Sequence, residues 1–406
     1  MKKILYLTYD GLTDPLGQSQ ILPYIIGLSQ QYSFFVISFE KKLRFQENKE
    51  YIEGICKQND ITWIPLSYTK KPPVLSTIFD IFKLNKVVKK LLKTEKIELI
   101  HCRSYITSLV GLGIKKKRNI RFVFDMRGFW PEERVDGNIW NLKNPIYKTV
   151  YNYFKKKEKS FLSNSDSIIS LTEKAKSEIL KLHPTLIEEK IVVIPCATDF
   201  IKFSPENVVS SSQIRKKLNI SEQSFVLTYL GSLGTWYLLD EMISFFKQLH
   251  KKYPEAIFLF ISPEPFEQII NIAKKHNVDK NLIRHSFVKH DEIPQYLSIT
   301  NMGIMFIKPS YSKMSSSPTK FAEFLAMNIP VICNDIGDLA KHTNQIPGCY
   351  CISSFSDEIF TDIINKLNLK QNYNSEIREK AKEIYNLPLA VDTYFKVYKK
   401  VLNENQ

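Results

Sequence analysis

The chain has 406 residues, 44% hydrophobic and 12% aromatic, which is enough apolar material for two cores of ordinary domain size and excludes a disordered chain. Lys and Arg number 57 against 42 Asp and Glu, a net charge of +15. No run reaches the roughly 18 apolar residues that a spanning helix needs, and the opening MKKILYLTYDGL is broken by Asp10 and Gly11 and reads as a strand, so a cytoplasmic location is expected.

In chain order, strands alternate with helices, which predicts parallel sheets with helices on both faces. The first series of strands is expected at 4–8, 34–38, 61–65, 99–102, 122–125, 167–171 and 191–194. A crossing region near 195–222 follows, marked by three serines at 210–212. The second series is expected at 225–229, 257–261, 283–287, 302–306, 330–333 and 348–352, and a last amphipathic helix covers 389–402. Open parallel sheets bind ligands at the carboxyl ends of their strands. The informative residues are therefore those just after each strand. Gly17 is read as the start of a tight turn into the first helix, with Ser19 as its cap. It serves either as a plain turn glycine or as a point of close backbone approach to a donor.

The positive charge is uneven. Residues 1–200 carry 33 Lys plus Arg against 21 Asp plus Glu, while the rest of the chain has 24 against 21. Much of the excess lies in IFDIFKLNKVVKKLLKTEK (78–96), where Ile78, Phe82, Val88, Leu91 and Leu92 fall near helical spacing and Lys83, Lys86, Lys89, Lys90 and Lys93 fill other positions. Two readings stay open: a solvated lysine face, or peripheral attachment to an anionic membrane surface. No zinc-finger, RNP or helix-turn-helix pattern accompanies the charge, so nucleic acid is not an expected partner.

The segment SSSPTKFAEFLAMNIPVICNDIGD (315–338) reads as a loop, a helix carrying Lys320 and Glu323 on one face near its N-terminus, a Pro330 stop and a buried strand. Free amides and Lys320 suit a phosphate, and an ionised Glu323 accepts hydrogen bonds only, which suits ribose hydroxyls. The alternative is a solvated Lys320–Glu323 salt bridge.

This segment resembles the nucleotide-sugar signature of glycosyltransferase family 4, a Pro-x-Lys-x-x-Glu-Tyr-Leu-Ala run followed by a Pro-Val strand. MKKILYLTYDGLTDPLGQSQ resembles that family's opening strand and glycine loop, VVIPCATDF its interdomain crossing, and FVLTYLGSLGTWY the first strand and phosphate loop of its second domain. The resemblance implies an α/β GT-B fold, two facing Rossmann-like domains with parallel sheets. It divides the chain into an acceptor-side domain at 1–200, a nucleotide-sugar-binding domain at 201–386, and a C-terminal helix at 387–406 that packs back on the first domain. It implies a glycosyltransferase that moves a sugar from a nucleotide-sugar to a glycan or lipid-linked acceptor in surface polysaccharide synthesis, peripheral on the inner face of the plasma membrane. A GT-B nucleotide-sugar epimerase is the other enzyme class weighed. Neither cofactor nor metal is expected. The implied donor-binding residues are Gly17, Gly231, Ser232, Ser316, Ser317, Thr319, Lys320 and Glu323.

Three departures from the family pattern matter. The Thr-x-His at the end of a first-domain strand is replaced by Asp125-Met-Arg127, where strand alternation puts Asp125 and Arg127 on one side. Asp125 is then a candidate base for an acceptor hydroxyl, with Arg127 binding an anionic sugar, or the two form a structural ion pair. Glu133 is a further catalytic candidate, and Arg103 and Glu132 are candidates for acceptor or sugar contact. Second, GSLGTWYLLDE offers no cation before the next helix. Third, Ser315 stands where the family has the first of its paired glutamates. Fewer cations suit a CMP-ulosonic acid donor, while a diphosphate held by Lys320 and Lys308 is the alternative. Cys56, Cys102, Cys196, Cys333, Cys349 and Cys351 lack CxxC spacing and read as thiols. His101, His285 and His290 lack a partner at metal-ligand spacing, and His290 reads as part of a short structural helix.

Overall fold

The computed structural model describes residues 1–367 and 375–403, so 368–374 of the expected second domain and the last three residues of the expected C-terminal segment lie outside the described residues. The chain divides into two units, Met1–Pro195 with Leu387–Gln406, and Cys196–Asn386. Residues 196–200, read from sequence with the first unit, fall in the second because Cys196 donates its amide to Ser317 Oγ at 3.0 Å and Thr198 bridges to Asn386.

The first unit holds β1 (Lys2–Thr8), β2 (Tyr32–Glu40), β3 (Thr62–Ser67), β4 (Leu99–Arg103), β5 (Arg121–Asp125), β6 (Ser167–Ser170) and β7 (Ile191–Val193), in the spatial order β3-β2-β1-β4-β5-β6-β7. Every pairing is parallel. The second unit holds β8 (Val226–Leu230), β9 (Ile257–Ile261), β10 (Ile283–Ser286), β11 (Met302–Met305), β12 (Val331–Asn334) and β13 (Tyr350–Ile352), ordered β10-β9-β8-β11-β12-β13 and again parallel. Strands such as FVFD and VICN are buried on both faces because helices cover both sides. The strand order reverses between β1 and β4 in one unit and between β8 and β11 in the other. These are the two places where a doubly wound sheet opens a crevice at its carboxyl edge.

The C-terminal helix Leu387–Val401 packs within the first unit. Tyr394 and Tyr398 project from successive turns of it into a buried polar cluster. Asp125 is a carboxylate that only accepts, so the His101 Nε2 that approaches its Oδ2 at 3.3 Å carries the ring proton. Nδ1 is then the acceptor for the Tyr398 hydroxyl at 2.9 Å, and Tyr394 donates to Asp125 Oδ2 at 3.4 Å. Burial pulls the His101 pKa below its usual value and keeps the imidazole neutral. The Tyr6 ring stacks on His101 with centroids 4.4 Å apart. Two turns of helix are thereby fixed to two strands.

The helix Leu75–Thr94 differs from its sequence reading. Its inward row is Ser76, Asp80, Leu84, Val88 and Leu92, which leaves Ile78 and Phe82 facing out. Asp80 is buried because it accepts from the Tyr9 hydroxyl and from the Thr69 amide and hydroxyl, all within 3.0 Å. A polar residue thus occupies a core position and rotates the apolar stripe away from the one the sequence suggests. Ser19 likewise lies inside the helix Pro15–Gln20 and bonds back to Pro15 O at 2.9 Å instead of capping it.

Removing the Tyr398 hydroxyl leaves a buried imidazole nitrogen without a partner, which costs about 1–3 kcal/mol. Tyr398→Phe is expected to lower the urea midpoint of the first unit accordingly, and an unchanged midpoint would show that the cluster does not hold the helix.

Candidate functional site

In the second unit, β8 ends at Leu230 and Gly231 follows with φ +96°, a conformation that a side chain resists. The turn leads into Ser232–Tyr237, which is held across the strand-order reversal by a Tyr237–Ile307 bridge and by the Lys308 amide donating to Trp236 O at 2.8 Å. The helix Thr319–Ala326 begins beside this turn, and Pro318 before it supplies no capping side chain. Lys320, in its first turn, brings its ammonium so close to Gly231 that a Cβ there would sit 3.2 Å from Nζ.

Lys320 and Glu323 share the face that their spacing predicts, but neither is solvated, each being 7% exposed, and they do not pair with each other. Lys320 donates to the Tyr229 hydroxyl at 2.9 Å, and its ammonium lies 3.6 Å from the Tyr237 ring centroid and 4.3 Å from that of Tyr229. Among the described residues no carboxylate comes within ion-pair distance of it. Burial therefore drops its pKa to about 7, with the more distant Glu323 and Glu264 only partly opposing the shift. Glu323 Oε1 accepts from His290 Nε2 at 3.1 Å, and Oε2 has no hydrogen bond among the described residues.

The other proposed donor residues are placed less uniformly. Ser232 donates to Glu264 Oε1 at 2.6 Å, and Ser262 fixes the second oxygen of that carboxylate at 2.5 Å. Ser317 is committed to the Cys196 amide, and Ser316 is partly exposed in the turn after the 3-10 helix Tyr311–Ser315. Thr319 opens the helix itself. Lys308, a proposed phosphate partner, is exposed at the surface. Gly17 is buried in the first unit, where a Cβ would lie 2.0 Å from Gly11 O, so its lack of a side chain serves packing against the chain's own loop. Reasoning from sequence missed Tyr229, Tyr237 and Glu264. The two tyrosines flank Gly231-Ser-Leu-Gly234, which is the signal that could have found them.

At the carboxyl edge of the first unit, β1, β4 and β5 bring Thr8, Arg103 and Asp125 into register. Arg103 is buried and reaches Asp10 at 3.4 Å, Asp125 at 3.8 Å and the Gln20 carbonyl at 3.3 Å. Burial pushes the Asp125 carboxyl up, but Arg127, the His101 hydrogen bond and Arg103 outweigh it and hold it below the usual carboxylate range. Asp125 has no exposed surface, and its Oδ1 lacks a partner among the described residues. With no surface for an acceptor to reach, its bonds make it an anchor for Arg103, His101 and the C-terminal helix. Strand alternation does not carry on to Arg127, because β5 ends at Asp125 and Arg127 adopts φ +54°.

Glu132 and Glu133 lie in the helix Trp130–Asp136, not equally exposed as their adjacency suggests. Glu132 is buried and takes up Lys155 at 2.6 Å and Tyr151 at 3.2 Å, while Lys155 also pairs with Glu158 at 2.5 Å. That cluster gives Glu132 inner partners in Lys155 and Tyr151. Glu133 is partly exposed. Of the three histidines singled out from sequence, two have carboxylate partners that spacing along the chain could not reveal: His101 with Asp125 and His290 with Glu323. Among the described residues no group of three or more His, Cys, Asp or Glu is arranged to hold a metal ion.

Two family models match the chain: Glycosyltransferase Family 4 over residues 28–200, and Glycosyl transferases group 1 over residues 210–384. The chain is 25% identical over 191 residues to "Putative teichuronic acid biosynthesis glycosyltransferase TuaC" of Bacillus subtilis (strain 168), a match spanning 46% of this chain and 44% of that protein. The chain therefore spans less than half the length of that relative. Its fold is similar to that of Alr3699/HepE from Anabaena, solved in complex with UDP and glucose, with TM-score 0.67, 12% identity, and 98% and 100% of the two chains covered. It is also similar to a glycosyltransferase from Rickettsia africae ESF-5, with TM-score 0.70, 16% identity, and 100% and 99% covered. Sucrose-phosphate synthase from Thermosynechococcus elongatus gives TM-score 0.70 at 12% identity, with both chains covered in full. With one family model matched in each unit and two parallel sheets of this order, the chain belongs to the group 1/family 4 glycosyltransferases of GT-B fold.

Proposed function

We propose that the chain transfers a sugar from a nucleoside diphosphate donor to a glycan or lipid-linked acceptor in the assembly of a surface polysaccharide. One observation carries the donor half: a buried ammonium, Lys320, poised over the Gly231 turn at an uncapped helix start, with ring faces and a hydroxyl as its partners in place of a carboxylate. A cation held in this way has its strongest unmet interaction with an arriving anion. Glu323, on the same helix face, takes the ribose hydroxyls through Oε2, which has no hydrogen bond among the described residues. A diphosphate is favoured over a CMP-linked donor by the UDP held in the Alr3699/HepE structure, and the polysaccharide role by the naming of the TuaC relative. Arg103 and Arg127, which Asp125 holds by charge, are the groups proposed to meet an acidic sugar.

A panel of UDP, GDP, ADP and CMP examined by calorimetry tests the donor half. A nucleoside diphosphate is expected to bind, and Glu323→Gln to weaken it by about 10- to 150-fold, equivalent to the loss of a charge-assisted hydrogen bond of about 1.5–3 kcal/mol. Unchanged affinity in a folded Glu323→Ala protein would sink the ribose assignment.

The proton balance of Lys320 gives a second check. Its pKa is lowered to about 7 in the free protein, and a bound phosphate raises it, so binding takes up a proton whenever the pH exceeds about 7. Affinity for the diphosphate is expected to fall as pH rises from 7 to 9, by at most about tenfold per unit, and Lys320→Met should flatten that slope. A pH-independent affinity in the wild type would remove Lys320 from the phosphate site.

The membrane half rests on the helix Leu75–Thr94. Leu75, Ile78, Phe79 and Phe82 are 63%, 43%, 58% and 68% exposed, and Lys86, Lys89, Lys90 and Lys93 continue the outward side. Apolar side chains beside a lysine row match the acyl boundary and the anionic headgroups of a bilayer. No helix among the described residues is long and apolar enough to cross a membrane, so the proposed association is peripheral. Binding to phosphatidylglycerol vesicles is expected to weaken between 0.1 M and 1 M salt, as the Debye length shrinks from about 10 Å to about 3 Å. It should drop further in a Phe79→Ser/Phe82→Ser protein. Equal sedimentation with neutral vesicles and no effect of salt would leave an ordinary surface helix.

A further inference from the structure

Glu323 owes its orientation to residues far away in sequence. His290 lies just before the helix Ile293–Leu297, and its Nε2 stands 3.1 Å from Glu323 Oε1. Its other nitrogen, Nδ1, stands 2.9 Å from the ammonium of Lys202. An ammonium can only donate and a carboxylate can only accept, so the two partners together admit one neutral tautomer: Nδ1 accepts from Lys202, and the proton sits on Nε2, directed at Glu323. Lys202 is itself held. Asp199 Oδ1 accepts from the Lys202 and Ile201 amides at 3.1 and 2.8 Å, and Asp291 Oδ1 takes the Lys202 ammonium at 2.5 Å. The Phe203 ring meets the imidazole edge-on with centroids 5.5 Å apart. The Glu323 carboxylate is thus fixed through one oxygen and leaves the other, Oε2, without a hydrogen bond among the described residues.

We infer that Lys202 and His290 are positioning residues for the nucleotide ribose, Lys202 setting the tautomer of His290 and His290 turning the free oxygen of Glu323 toward the ligand. The inference rests on the reading of Glu323 as the ribose partner. A carboxylate free to rotate spreads its acceptor oxygens over many directions, and a site that hydrogen-bonds a hydroxyl discriminates against its absence only if the acceptor is held in place. Neither residue touches the nucleotide in this scheme. Their effect is on the preference for ribose over deoxyribose, not on phosphate binding, which lies with Lys320.

The test is the affinity of the full chain for UDP, GDP and ADP, each compared with its 2′-deoxy and 3′-deoxy forms, in folded wild-type and variant proteins. The wild type is expected to bind at least one ribonucleotide about tenfold or more tightly than its deoxy form. His290→Ala should bring that ratio toward one while leaving affinity for the deoxy form unchanged, which a merely structural role would not do. His290→Gln places an amide N–H near the position of Nε2 and should restore the ratio. His290→Asn places its amide near Nδ1 and should not. Lys202→Met frees the ring to take the other tautomer and should give an intermediate ratio. A wild-type ratio retained by His290→Ala overturns this inference alone. A wild type that ignores the ribose hydroxyls in all three nucleotides overturns the reading of Glu323 and the inference with it.

Discussion

A strand that is followed by a parallel neighbour must be reached through a crossover, and this constraint organises both units. It sends every chain return across a face of the sheet, usually as a helix, and so gathers the carboxyl ends of the strands and the starts of the following helices on one edge. Where the winding direction reverses, between β1 and β4 and between β8 and β11, adjacent crossovers go to opposite sides and the edge is left open. Arg103 and Asp10 meet at the first reversal, and the Gly231 turn lies at the second, where the Tyr237–Ile307 bridge spans it. The chemistry-bearing residues are therefore where the topology leaves room for them.

The two edges handle buried charge in opposite ways. Asp125 is surrounded by groups that favour its ionised form, Arg103, Arg127, His101 and Tyr394, so its negative charge is used up inside the protein and tethers a helix to the sheet. Among the described residues Lys320 has a hydroxyl and two ring faces at close range and Glu323 and Glu264 farther off, which offset part of the desolvation of an ammonium and leave its pKa near 7. Breaking a buried pair exposes an uncompensated charge and is costly, while an ion left short of partners gains when a counter-charge arrives. A charge met mainly by cations and donors inside the protein suits an anchor, and one left short of them suits the receptor proposed here.

The strands were legible in the sequence because fully buried parallel strands are short, continuous apolar runs bounded by polar turns, and FVFD, IFLFI and VICN are of this kind. The helix Leu75–Thr94 was legible as a helix but not in its rotation. Asp80 faces inward because Tyr9 and Thr69, from the loops after β1 and β3, supply its hydrogen bonds together with Lys83 of the same helix. Arg127 was assigned to the face of Asp125 by alternation, and a left-handed φ at that residue is invisible to a period-two argument. Lys320 and Glu323 were placed on one face by helical spacing alone. Their partners, Tyr229 and His290, lie 91 and 33 residues away, and no local pattern reports such pairs.

Ser315 sharpens what Glu323 must do. The family resemblance places a carboxylate eight residues before Glu323, and here that position holds a buried serine whose hydroxyl is spent on Ser312 O at 2.6 Å. A second acidic group near Lys320 would raise its pKa by Coulomb attraction. Without it, Glu323 and the partly exposed Glu264 are the carboxylates that act on Lys320, and Glu264 is already bonded to Ser232 and Ser262. Under the proposal that Glu323 receives the ribose, this single carboxylate cannot rely on a neighbouring acid to share hydrogen-bond donors and hold it still. Its orientation has to come from a donor outside the helix, and His290, locked by Lys202, is the donor that the structure supplies.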